Sequence, residues 1–97
     1  MYGTIARMRL KPGIADRAID ELAAMEGNAP PGAVAVYIYR MDNNPDELYM
    51  AVLFESREAY WANAESPEQH QSFLRMMEFL VAEPDWHDGE IIAALAP

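Results

Sequence analysis

The sequence predicts an α+β fold, and three observations carry that prediction. Short extended runs, most of them apolar on both faces, alternate with two stretches of helical period. Clusters of turn formers separate them at Lys11-Pro12-Gly13, from Gly27 to Gly32 and from Asp42 to Asp46. The last of these clusters joins two extended runs directly, as a hairpin does, whereas the other runs are joined through helices. The resulting β-α-β-β-α-β order is the ferredoxin-like plan, a four-stranded antiparallel sheet with helices on one face. At 97 residues the chain has room for one core, so residues 1–97 read as a single domain.

Each element follows from its pattern. Tyr2 to Leu10 alternates Tyr2, Thr4, Ala6, Met8 and Leu10 against Gly3, Ile5, Arg7 and Arg9, and Pro12-Gly13 ends this first strand. Ile14 to about Met25 places Ile14, Ala15, Ala18, Ile19, Leu22 and Ala23 at helical spacing, with Asp16, Arg17, Asp20 and Glu21 mostly opposite. The loop from Gly27 to Gly32 stops this helix. Ala33 to Met41 is the second strand, with Val34, Val36 and Ile38 on one side and Ala35, Tyr37, Tyr39 and Met41 on the other.

The third strand places Leu48, Met50, Val52 and Phe54 on one face and Tyr49, Ala51 and Leu53 on the other. Ser56 is set to cap a short helix through about Ala64. Ser66-Pro67-Glu68-Gln69 then supplies a cap serine, a proline at the first helical position and a glutamine at the third. Phe73, Met76, Met77, Leu80 and Val81 form the stripe of the following helix, which Pro84 ends. Asp85 to Gly89 reads as a loop, and Glu90 to Leu95 as the last strand.

Helices can cover only one face of such a sheet. The second face carries enough Tyr, Met and Ile to expose more than about 400 Å² of contiguous apolar surface, more than a soluble monomer usually shows. A second copy stacked face to face would bury it with two-fold symmetry, so a homodimer is expected.

Composition narrows the function. Sixteen acids against seven bases give a charge of −9, which repels phosphate backbones, and nucleic acid is not an expected partner. Without cysteine there is no disulfide framework, thiol catalysis or zinc-finger ligation. No run approaches the roughly 20 apolar residues that span a bilayer, and the first residues lack the pattern of a signal peptide. The expectation is a soluble, cytoplasmic protein that does not associate with membranes.

Several residues carry potential chemistry. His70 lies three residues before Phe73 and seven before Met77, at the edge of an apolar stripe, pointing towards the helix–sheet space. An imidazole there can take a proton from a phenolic substrate; otherwise it is a satisfied structural histidine. Trp61 and Tyr60 are neighbours on a short helix, so one packs in the core and the other covers a rim or a partner chain. Either could stack on a planar ring, although plain packing is the better account of them. Asn63 could donate to a substrate oxyanion, or help to end its helix.

Tyr37 and Tyr39 share a strand face and line the cavity if that face meets the helices; otherwise they join the dimer. Arg7 and Arg9 either bind an anionic group in a pocket or form rim salt bridges, which the surplus of acids favours. The acids around His87 lack a second histidine at ligand spacing, and the Asp42 loop lacks the glycine and glutamate of a calcium loop. No metal site is expected.

The strand order, the run Leu53-Phe54-Glu55-Ser56-Arg57-Glu58-Ala59 and the following Asn63-x-x-Ser66-Pro67 resemble the antibiotic biosynthesis monooxygenase-like family. That resemblance implies a dimeric α+β barrel. It also implies an activity drawn from the family's cofactor-independent oxygenases, which act on quinols or anthrone-type aromatics. His70 would then deprotonate a small planar aromatic, whose electron-rich anion reacts with dioxygen without metal or flavin. Asn63 would hold the oxyanion, and Trp61, Tyr37, Tyr39, Phe73 and Met77 would shape the substrate pocket. The family often has a histidine where this chain has Asn63, and another where it has Glu68. Its haem-degrading branch needs a first-strand asparagine, which Tyr2 to Leu10 lacks. The rival expectations are a non-catalytic binder or stress protein, and an interaction module whose pocket is filled by Phe73, Met76, Met77 and Leu80.

Overall fold

The first and third strands pair antiparallel along their whole lengths, from Tyr2 opposite Phe54 to Arg9 opposite Glu47. The computed structural model describes residues 1–24 and 30–96. Its elements are β1 (Tyr2–Arg9), α1 (Ala15–Ala23), β2 (Ala33–Arg40), β3 (Glu47–Phe54), α2 (Arg57–Ala64), α3 (Pro67–Met77) and β4 (Asp85–Glu90). The strands form one antiparallel sheet in the order β2-β3-β1-β4, the ferredoxin-like plan. The predicted end of α1 at Met25 and the loop residues Gly27 to Ala29 lie outside the described residues.

Period-two alternation decides which side chains meet the helices. Thr4, Ala6 and Met8 of β1 lie opposite Val52, Met50 and Leu48 of β3, and this side turns towards the helices. Met8, Leu10 and Leu48 pack with Ala15 and Ala18 of α1 and with Leu80 as the core. Leu48 is fully buried, which contributes about 2 kcal/mol relative to exposure. Ile5, Arg7, Tyr37, Tyr39, Tyr49 and Ala51 fall on the other side by the same registers.

Capping follows the sequence closely. Ser56 Oγ accepts from the Ala59 amide at 3.0 Å and Ser66 Oγ from the Gln69 amide at 3.1 Å, satisfying amides that each helix leaves free at its start. Pro67 occupies the first turn of α3.

Two boundaries differ from expectation. α3 stops at Met77 rather than near Pro84, because the following backbone bonds to the end of β1. Lys11 N–H donates to Phe79 O, and Val81 N–H to Arg9 O, each at 2.9 Å. Leu80 is still buried, whereas Val81 is exposed. The last strand is Asp85–Glu90 rather than Glu90–Leu95. Backbone pairing with β1 places Trp86 opposite Ala6 and Asp88 opposite Thr4, and it needs no apolar side chains. The ladder ends where β1 begins, the Ile91 amide donating to Met1 O as the last bond.

Candidate active site

A cavity of about 850 Å³ lies between the helix-facing side of the sheet and helices α2 and α3. Its size is within the range of small-molecule sites. Val36 and Ile38 of β2, Met50, Val52 and Phe54 of β3, and Phe73 and Met76 of α3 give it apolar walls. A module filled by its own methionines would not leave this space. A second void, of about 120 Å³, lies between α1, α3 and the core and is too small for a ring.

Polar groups enter the large cavity in two places. Asn63 near the end of α2 and Gln69 and His70 in the first turn of α3 form one group. Asn63 Nδ2 donates to Gln69 Oε1 at 3.2 Å, which ties the two helices together and leaves the Gln69 amide donors free. His70 lines the cavity but is exposed, so it sits at the mouth rather than buried behind the stripe.

Thr4, Tyr60 and Asp88 form the second group. The Tyr60 hydroxyl donates to Asp88 Oδ1 at 2.6 Å. Burial first, then the hydrogen bond to Asp88 and its negative charge, pushes the Tyr60 phenol up to about 12, with the nearby Thr4 hydroxyl pulling the other way. Even so, Thr4 Oγ1 is buried without a hydrogen bond of good geometry. The Tyr60 ring is held edge-on by Phe54 at 5.4 Å and by Trp61 at 5.2 Å.

Of the residues expected in the site, His70, Asn63 and Phe73 meet at this cavity. Four do not line it. Tyr37 and Tyr39 pair with Ala51 and Tyr49 on the opposite side of the sheet, because Val36 and Ile38 occupy the cavity side. Trp61 packs against Tyr60 and is otherwise 42% exposed. Met77 packs against the core cluster instead. Arg7 binds Glu47 Oε2 through Nε at 2.9 Å and Nη2 at 2.7 Å, a rim salt bridge that raises its pKa, chiefly through the hydrogen bond.

Sequence reasoning missed Tyr60 as the inward aromatic, Thr4, and the cavity residues Trp86 and Asp88. The period-two spacing of Trp86 and Asp88 with Glu90 was the available signal, masked by the polar company of a turn glycine. Among the described residues, no three His, Cys, Asp or Glu side chains are grouped to hold a metal ion. No helix among them is long and apolar enough to cross a membrane.

The profile of the antibiotic biosynthesis monooxygenase family matches residues 1–76. No curated protein matches the sequence. Among solved structures, a Chloroflexus aurantiacus protein named for that family superposes with a TM-score of 0.79 at 21% identity, over 98% of this chain and 96% of its own. A Nitrosomonas europaea protein of unknown function gives 0.80 at 20% identity, over 99% and 93%. A Deinococcus radiodurans protein, also named for the family, gives 0.81 at 11% identity, over 100% and 98%. At these identities the superpositions establish a shared fold. With the profile covering most of the sequence, the chain belongs to the antibiotic biosynthesis monooxygenase family.

Proposed function

We propose that the chain is a homodimeric, cofactor-independent monooxygenase that takes a small planar aromatic into the 850 Å³ cavity. The observation that carries this reading is a roomy apolar cavity with His70 and Asn63 together at one polar end. In the proposed reaction His70 accepts a proton from an anthrone-type carbon or a phenolic oxygen, giving an electron-rich anion. Asn63, with one amide proton free, and Gln69 donate to the oxyanion. The anion reduces dioxygen and takes one of its oxygen atoms. A ring CH₂ becomes C=O, and its two hydrogens leave with the second oxygen as water, so the substrate supplies all four electrons that reduce dioxygen.

The test is oxygen uptake with dithranol, a hydroxylated anthrone, using protein dialysed against chelator. The expected result is turnover above the spontaneous rate, reduced about 100-fold in His70→Ala, as for loss of a general base. Dithranol binding without any acceleration would sink the catalytic reading.

One observation favours a second reading, a non-catalytic binder. Among the described residues no side-chain hydrogen bond orients the exposed His70 ring, and a general base is usually held in place. In that case His70→Ala changes neither binding nor oxygen uptake.

A further inference from the structure

We propose that Thr4, Tyr60 and Asp88 form a recognition corner for a neutral ligand hydroxyl, selecting hydroxylated rings over carboxylated ones. The inference rests on the cavity accepting an aromatic ring, as proposed above, and adds the chemistry of the substituent. Thr4 is 5% exposed, lines the cavity, and its Oγ1 is unpaired. A buried hydroxyl without a partner is costly unless a ligand supplies one.

Its neighbours define what that partner must be. Tyr60 spends its proton on Asp88, so its oxygen is left as an acceptor, and the Asp88 carboxylate only accepts. The corner therefore offers as its donor the Thr4 hydroxyl, which lies near enough to Tyr60 to lower its pKa without making a hydrogen bond of good geometry, and several acceptor sites. A ligand hydroxyl fits this set, because it accepts from Thr4 while donating to Tyr60 or Asp88. A carbonyl satisfies Thr4 alone, and a carboxylate confronts Asp88 with like charge.

Electrostatics point the same way. Among the described residues lining the cavity there is no lysine or arginine, and Asp88 is the only acid. Arg57 places its guanidinium 5.7 Å over the Tyr2 ring and does not join the lining. Asp88 comes from β4, where it lies opposite Thr4 of β1 in the sheet register.

The test compares binding of 2-naphthol, 2-naphthoate and naphthalene at pH 7 by equilibrium dialysis. Wild-type protein is expected to bind 2-naphthol about tenfold more tightly than naphthalene, the size of one well-made hydrogen bond, and 2-naphthoate most weakly. Thr4→Val should abolish the naphthol advantage and leave naphthalene unchanged, which also reports an intact cavity; Thr4→Ser should restore the advantage. Asp88→Asn should raise naphthoate affinity by about two- to fivefold, the scale of a solvent-exposed charge. A naphthol-to-naphthalene ratio unchanged in Thr4→Val overturns the corner while leaving the aromatic cavity standing. Failure of all three rings to bind overturns both.

Discussion

The Tyr60 hydroxyl donates to Asp88 Oδ1 at 2.6 Å, joining residues 28 apart in sequence and fixing β4 to α2 at the side of the cavity. The bond matters because β4 is otherwise an exposed edge strand, held to the sheet by pairing with β1 alone. The tie keeps Trp86 and Asp88 on the cavity side, and it makes Tyr60 a reporter of that arrangement.

A native pKa raised from 10.0 to about 12 means that the folded protein holds the Tyr60 proton after the unfolded chain has lost it. The stabilisation is fully present below pH 10 and is lost as pH rises from 10 to about 12. Absorbance at 295 nm should show one phenol ionising late, and Tyr60→Phe should remove it. In Asp88→Asn that phenol should ionise earlier but stay above its ordinary value, because burial is the larger cause. A late phenol that survives in Tyr60→Phe would refute the assignment.

Two glycines opposite each other in the β1–β4 register, Gly3 and Gly89, should respond differently to the same substitution. A Cβ on Gly3 would overlap the Val52 carbonyl oxygen, whereas one on Gly89 meets nothing within 4 Å. The Gly3 clash is with backbone in the middle of the sheet, so no side chain can swing away. Gly3→Ala should cost about 1–3 kcal/mol, and Gly89→Ala should stay within about 0.5 kcal/mol. Thermal unfolding of the two variants side by side distinguishes them, and equal melting temperatures would contradict the packing described.

The legible parts of the fold were those where local pattern and tertiary environment agree. Met8, Leu48 and Ala18 lie on stripes that predict burial, and they are buried; Ser56 and Ser66 sit where caps are needed and they cap. β4 was not legible, because Asp85, His87 and Asp88 have a turn's composition and only pairing with β1 makes them a strand. The same gap hid half of the site. His70 and Phe73 could be found from helical spacing and Asn63 from its amide chemistry, but Asp88 and Trp86 reach the cavity through a pairing with β1 that their weak period-two signal does not reveal. Tyr37 and Tyr39 show the opposite limit: β2 is apolar on both sides, so alternation names two faces without saying which one meets the helices.

Ser66 is predicted to matter beyond its own hydrogen bond. Its Oγ holds the Gln69 amide at 3.1 Å, and Gln69 in turn accepts from Asn63. Ser66→Ala should cost about 1 kcal/mol, lowering the melting temperature by about 4–8 °C for a domain of this size. Ser66→Asp, which retains an accepting oxygen, should recover most of it. If alanine and aspartate melt alike, the cap contributes nothing.

The open face of the sheet supplies the last prediction. Ile5 is 54% exposed and Tyr37 and Tyr39 are each 55% exposed, on the side opposite the helices and beside Tyr49 and Ala51. The proposed dimer buries this patch against its two-fold copy. Each copy brings a charge of −9, so association must overcome repulsion through apolar contact, and added salt should tighten it by screening. Ile5 lies on a central strand, where Ile5→Glu would set two carboxylates near each other across the two-fold axis without disturbing the cavity side. Sedimentation velocity should show a wild-type dimer at micromolar concentration that strengthens from 50 to about 500 mM salt, and an Ile5→Glu monomer that still binds naphthalene. A wild-type monomer in both salts would leave the apolar face without its proposed partner and sink the dimer.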